Sequence, residues 1–167
     1  YEQQCNPILD STNLSGGTSM AMHESQSRFY ENIVGRSYEF WKRHYSKLKE
    51  IFNEELKDIS LDEFYMYVNE VECSLIRVEA DELTYPLHIM VRYEMEKKII
   101  EEDINIDELP SMWNKLYKEY LDIDVPNDKL GILQDVHWSG GSFGYFPTYA
   151  LGSAYGAQLL YAMQKDL

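Results

Sequence analysis

Apolar and aromatic positions recur at helical spacing along most of this chain. Between about Met20 and Asn53 the residues Phe29, Ile33, Phe40, Trp41, Leu48 and Phe52 fall near one another on a 3.6-residue wheel. Thr18 or Ser19 stands where a helix N-cap is expected, and Gly35 is placed to separate two helices or bend one. Ser60-x-x-Glu63 is a capping-box pattern and predicts a helix running to about Glu72. "SLIRV" (74–78) is short and partly β-branched, which predicts an extended piece. "ADELTYPLHIMVRYEMEKKIIEED" (80–103) has the pattern of a long amphipathic helix. Pro86, inside its first two turns, is expected to kink it or to mark its true boundary. "LPSMWNKLYKEYL" (109–121) predicts a helix with Pro110 near its start, and Pro147 can open a last helix over about 147–164.

The stretches between these patterns are rich in turn formers. Residues 1–17 carry Pro7, Gly16, Gly17 and several Ser, Thr and Asn. The region 122–146 is broken by Pro126, Gly131, Gly140, Gly141 and Gly144. The expected fold is therefore mainly α, a single helical unit over 1–167. Its parts are a loop at 1–17, helices over 18–121, an irregular Gly-rich loop at 122–146 and a closing helix at 147–167. No internal repeat interrupts it. Helices as long as 20–53 and 80–102 need partners for their apolar faces.

Composition narrows the function. The 167 residues are 44% hydrophobic, enough for a core, and 29 acidic against 15 basic side chains give a formal charge of −14. Such a field repels phosphate backbones, so no nucleic-acid partner is expected. No apolar run reaches the roughly 18 residues of a membrane span, so no membrane partner is expected either. The chain starts on Tyr1 without a basic-then-apolar leader and reads as a processed or excised piece. Cys5 and Cys73 are far apart and form no C-x-x-C, which fits free thiols in a reducing cytoplasm.

Three stretches carry candidate chemistry. His23-Glu24-x-x-Ser27 is one residue short of the H-E-x-x-H zinc signature, in which histidines at i and i+4 reach one metal. Ser27 cannot replace the second histidine, and none of His23, His44, His88 and His137 has a partner at i+4. Glu24, Arg28 and Glu31 lie at helical charge-pair spacing; they suit a solvated face, or buried pairs given Phe29, Tyr30 and Ile33 around them. Arg77 sits among apolar neighbours and suits carboxylate recognition, although taken alone it is expected to pair with Glu79 or Asp81. "GILQDVHWSGGSFGYFPTYALG" (131–152) sets Gln134, Asp135, His137 and Trp138 before a loop with three glycines, then Tyr145 and Tyr149 four apart. It is either a tight structural loop or a site whose His and Tyr donate to a developing oxyanion. Walker, dinucleotide and nucleophile-elbow motifs are missing from the sequence.

In this order, "HESQSRFYENIVGRSYEFW" (23–41), "IRVEADELTYPLHIMVRYEME" (76–96) and "GILQDVHWSGGSFGYFPTYALG" (131–152) resemble the carboxypeptidase Taq family of zinc metallocarboxypeptidases, and "YEQ" (1–3) resembles the residues just after the family's H-E-x-x-H helix. The resemblance covers essentially the whole chain. It implies an all-helical fold like part of a neurolysin-type zinc peptidase. It also implies that the H-E-x-x-H helix lies just upstream of Tyr1, so that the chain is the carboxyl-side part of a larger enzyme. By resemblance Glu24 matches the third zinc ligand, and His23 a hydrogen-bond partner rather than a ligand. Arg77 matches the group that holds the substrate's C-terminal carboxylate, with Gln134 and Asp135 orienting. His137, Tyr149 and less directly Tyr145 match oxyanion donors. The implied whole is a cytoplasmic, homodimeric zinc enzyme that removes C-terminal residues from peptides, and the isolated chain is expected to be inactive. The alternative is a helical binding module that keeps the fold without catalysis.

Overall fold

The computed structural model describes residues 5–166, and the "YEQ" stretch at 1–3 lies outside them. Among the described residues every regular element is helical: α1 Met20–Arg28, α2 Tyr38–Ile51, α3 Asn53–Leu56, α4 Leu61–Val68, α5 Tyr85–Glu101, α6 Leu109–Leu121 and α7 Pro147–Asp166. The residues group into two compact units, 1–70 with 152–167 and 71–151, so the division falls within α7.

In the first unit, Ser19 caps α1 by accepting from the Met22 amide at 3.2 Å. α1 passes into one widened π-helical stretch, Phe29–Val34, and the chain breaks at Gly35 before Ser37 caps α2. Glycine is required there by space, because a Cβ at Gly35 would lie 2.8 Å from the Glu31 carbonyl oxygen. α2 and α4 pack through Trp41 and Tyr45 against Phe64, with centroids 4.7 and 5.0 Å apart. Ser60 and Glu63 form the reciprocal capping box at the start of α4. The helix stops at Val68 rather than Glu72, because the Asn69 side chain donates to the carbonyls of Arg36 and Tyr65 and ends the turn there.

The core of the second unit is the α5–α6 contact. Val91, Met95, Trp113, Tyr117 and Leu121 are essentially sealed from solvent, and Ala80, Tyr85, Ile89 and Phe146 form a second cluster. Full burial of an aliphatic side chain such as Val91 contributes about 1.5–3 kcal/mol. Two local expectations are narrowed in this unit. The extended reading of 74–78 holds at Ile76 but ends at Arg77, where a 3₁₀ turn, Arg77–Glu79, begins. Of the two readings of Pro86, a kink in a helix begun at residue 80 is not seen, and the boundary reading holds. The proline occupies the first turn of α5, where its missing N–H costs nothing. Asp81 builds the preceding turn by accepting from the Leu83 and Thr84 amides at 2.8 and 2.9 Å. Burial, the largest single influence, raises its carboxyl pKa, but the Thr84 hydroxyl at 2.6 Å and then the backbone amides outweigh it and hold the carboxyl below the usual range.

The Gly-rich loop is tied down from α5. Glu96 accepts from Trp138 Nε1 at 2.8 Å and from the Gly144 amide at 3.1 Å. Gly141 and Gly144 have φ of +77° and +76° with open space around them, so here glycine serves backbone conformation rather than close approach.

Candidate functional site

Glu24 lies in the first unit, mid-way along α1. Its Oε2 accepts from Ser27 Oγ at 2.8 Å. The floor beneath it is α7: a Cβ on Gly152 would stand 2.7 Å from Glu24 Cβ and 2.8 Å from its carbonyl carbon. Four residues on, a Cβ on Gly156 would meet the Ser25 carbonyl oxygen at 3.4 Å. Two small residues at i and i+4 thus let α7 cross directly against the backbone that carries Glu24. Arg28 is buried and paired, donating to Glu31 at 2.8 Å and to Ser153 Oγ at 3.3 Å. The π-helical stretch after it is a feature often found beside functional positions.

The other sequence-predicted residues, Arg77, Gln134, Asp135, His137, Tyr145 and Tyr149, all belong to the second unit. Arg77 is 5% exposed. Its partner is neither Glu79 nor Asp81 but Asp135, 58 positions away: Nε and Nη2 donate to Asp135 Oδ1 at 3.0 and 2.6 Å. Nη1 donates to the Tyr85 hydroxyl at 2.6 Å, and the guanidinium lies 5.0 Å from the Tyr149 ring centroid. Gln134 Oε1 accepts from the Arg77 backbone amide at 3.0 Å, so two consecutive residues fix both ends of one arginine.

A second arginine shares the same anchors. Arg92, on α5, has no exposed surface. Its Nε and Nη2 meet Asp135 Oδ2 at 2.7 and 2.6 Å, Nη2 also reaches Gln134 Oε1 at 2.8 Å, and Nη1 donates to the His88 carbonyl at 2.8 Å. Gln134 Nε2 and, at 3.5 Å, Arg92 Nη1 both donate to the Tyr117 hydroxyl, which leaves its own proton for His88 Nδ1 at 3.1 Å. Burial followed by the Arg92 charge lowers His88 to about 4, so the ring is neutral at pH 7. Burial opposes ionisation of Asp135, yet the two arginines hold its carboxyl below the ordinary range. Burial, the largest single influence, likewise opposes the Arg77 charge, but the hydrogen bond and charge of Asp135 together with Tyr85 outweigh it, so Arg77 stays firmly cationic. Breaking such a buried pair by removing one partner typically costs about 3–5 kcal/mol.

His137 opens the loop, its Nε2 3.2 Å from the Tyr149 hydroxyl and its ring 4.3 Å from that of Phe146. Burial lowers its pKa, and the ring is neutral at pH 7, with Nδ1 buried and unpartnered among the described residues. Tyr145 and Tyr149 lie on one side of the turn into α7, rings 5.4 Å apart. A neutral imidazole and phenol hydroxyls are hydrogen-bond donors that carry no charge of their own, which suits stabilising an oxyanion.

Arg92, Tyr85, Tyr117 and His88 were given no role by the sequence. The available signal was an arginine four residues after a histidine inside the otherwise apolar stretch "LHIMVR". Among the described residues no group of three His, Cys, Asp or Glu side chains is gathered to hold a metal ion. On that observation these residues do not form a complete metal site, and Glu24 fits one arm of such a site at most.

The architecture is that of an all-helical domain carrying a buried, carboxylate-anchored arginine and an uncharged His–Tyr pair. The family model of the carboxypeptidase Taq (M32) metallopeptidases matches residues 1–167, and the chain belongs to that family. It is 56% identical over 167 residues to carboxypeptidase 1 of Bacillus subtilis, covering 100% of this chain and 33% of that protein. It is 46% identical to thermostable carboxypeptidase 1 of Thermus thermophilus, again over 100% of this chain and 32% of that protein. The fold matches the BsuCP crystal structure with a TM-score of 0.95 and 55% identity over 99% of this chain and 33% of that one. It matches a Pyrococcus furiosus carboxypeptidase structure with a TM-score of 0.92 and 43% identity, over 99% and 33%. The chain therefore spans about a third of the length of the curated relatives it matches. Membership of a metallopeptidase family implies a metal cofactor. None of the described helices is long and apolar enough to cross a membrane.

Proposed function

We propose that this chain supplies the substrate-reading part of a zinc-dependent metallocarboxypeptidase that hydrolyses C-terminal residues from peptides. The observation that carries the reading is Arg77. Its guanidinium is fixed by Asp135 at Nε and Nη2 and by Tyr85 at Nη1, while one N–H on each of Nη1 and Nη2 has no partner among the described residues. A guanidinium held in place with a donor to spare on each Nη suits binding a carboxylate.

In this reading Arg77 holds the free C-terminal carboxylate of the peptide, and Gln134 and Asp135 orient it. His137 and Tyr149, with Tyr145 beside them, donate to the oxygen that becomes negative as the carbonyl turns tetrahedral. Uncharged donors suit this role, because they keep their protons at pH 7 and leave the charge to the substrate. Glu24 would help hold the zinc through its carboxylate, and the metal when bound would supply polarisation of a carbonyl and a lowered pKa for a water. The 167 residues contain no H-E-x-x-H, so on their own they are not expected to hydrolyse peptides. A cytoplasmic setting and a homodimeric full-length protein belong to the same reading, the former supported by two free cysteines.

The test compares this chain with a full-length protein carrying the same sequence, on a blocked dipeptide with zinc. Only the longer protein is expected to turn over; equal rates would refute the division of labour. Arg77→Ala in the longer protein should mainly raise KM for substrates with a free carboxylate. Equal effects on free and amidated substrates would remove the carboxylate role.

A further inference from the structure

We propose that Arg92 is a positioning residue for carboxylate recognition, acting through Asp135 to leave Arg77 with uncompensated positive charge. The inference rests on the proposed role of Arg77 as the carboxylate-binding group.

The charge balance follows from the bonds. Asp135 Oδ1 takes two donors from Arg77, and Oδ2 takes the Arg92 Nε donor with Arg92 Nη2 in ion-pair contact beside it. One carboxylate is thus divided between two guanidinium groups, side-chain exposures being 7%, 0% and 11% for Arg77, Arg92 and Asp135. His88 beside them is neutral at pH 7, and Glu96 on the same helix, whose carboxylate faces Trp138 Nε1 and the Gly144 amide, forms no ion pair with either arginine among the described residues. The group of three therefore carries one net positive charge in a region with little water. Every guanidinium nitrogen of Arg92 is engaged: Nε and Nη2 with Asp135, Nη2 also with Gln134, and Nη1 with the His88 carbonyl and the Tyr117 hydroxyl. Arg77 keeps one N–H on each of Nη1 and Nη2 without a partner among the described residues, so the excess charge is expressed there. A carboxylate arriving at Arg77 makes the group neutral overall. Without Arg92, Asp135 would belong to Arg77 alone, and the pair would have no charge left to offer.

The experiment measures competitive inhibition of the full-length protein by an N-acetylated amino acid and by its amide. Arg92→Gln removes the charge and keeps a polar side chain; Arg92→Lys keeps the charge. Arg92→Gln is expected to raise Ki for the acid on the order of tenfold while leaving the amide's nearly unchanged, and Arg92→Lys to stay close to the parent for both. The inference is overturned if Arg92→Gln weakens acid and amide alike, if it changes neither, or if Arg92→Lys loses as much selectivity as Arg92→Gln. Should Arg92→Gln fail to fold, Gln134→Glu cancels the excess by adding an anion; the same selective loss supports the inference and unchanged selectivity overturns it. Arg77→Met separates the two levels. If it weakens acid and amide equally, the reading of Arg77 falls and this inference with it. If it is selective and Arg92→Gln is not, only the inference falls.

Discussion

Replacing Gly152 by alanine tests whether α7 holds Glu24 in place. The added methyl carbon would lie 2.7 Å from Glu24 Cβ, 2.8 Å from the Glu24 carbonyl carbon and 3.0 Å from the Ser25 amide nitrogen. Ordinary carbon contacts lie at about 3.5–4.0 Å, so α1 and α7 must part by roughly 1 Å. Two of the three contacts are backbone, which cannot swing aside as a side-chain tip can. Overpacking of this kind costs about 1–3 kcal/mol, while alanine regains about 1 kcal/mol of helix propensity over glycine. The net expectation is a loss of about 0–2 kcal/mol. Gly156→Ala is the internal control. Its Cβ would meet only ordinary contacts, 3.4 Å to the Ser25 carbonyl oxygen and 3.8 Å to the Phe29 amide nitrogen. It should therefore stabilise by about 0.5–1 kcal/mol. In a protein of this size, at about 2–4 °C of melting temperature per kcal/mol, the two variants should differ by about 1–12 °C, with Gly156→Ala above the parent and Gly152→Ala at or below it. Thermal unfolding followed by circular dichroism measures it. If Gly152→Ala melts with or above Gly156→Ala, the close crossing of α7 on the Glu24 backbone is wrong.

Three further outcomes are expected. Glu24→Gln in the full-length protein should strongly weaken zinc retention, read by elemental analysis after dialysis; unchanged metal content removes Glu24 from the site. His88, with a folded pKa of about 4 against an ordinary 6.5, binds its proton more weakly folded than unfolded. Its contribution is therefore intact above about pH 6.5 and is lost progressively as pH falls toward 4, amounting to about 3 kcal/mol over that window. Chemical denaturation across pH 4–7 should show this slope, and His88→Gln should flatten it; an identical slope in the variant would assign the acid sensitivity elsewhere. Tyr117→Phe deletes the hydroxyl shared by Gln134, His88 and Arg92 and should destabilise by about 1–3 kcal/mol, measured by the same denaturation. A loss below about 0.5 kcal/mol would mean that those groups find other partners.

Much of the local structure was legible because its causes are local. Ser19, Ser60 with Glu63, and the glycines of the loop act through bonds and dihedral angles spanning a few residues. The end of α4 and the start of α5 were not, because the residues that set them also bond to distant parts of the chain: Asn69 reaches Arg36, and Asp81 accepts from the Glu72 amide. Among the candidate residues, Gln134, Asp135, His137, Tyr145 and Tyr149 stood together in one stretch and could be singled out by type.

The sequence by itself determined a mainly helical chain, its net acidic charge, and which polar residues occupy an apolar context. Periodicity, capping and composition are one-dimensional properties, and so they survive in a string of letters. Only the tertiary structure decided that Arg77 answers to Asp135 rather than to Glu79 or Asp81, and that Arg92 takes the other oxygen of the same carboxylate. The reason is physical. In the extended chain every charge has water and several equal neighbours to choose from. Once α5 packs on α6 and the 131–146 loop closes over Arg77 and Arg92, water is excluded, and only partners brought within hydrogen-bond distance can offset the cost of burial.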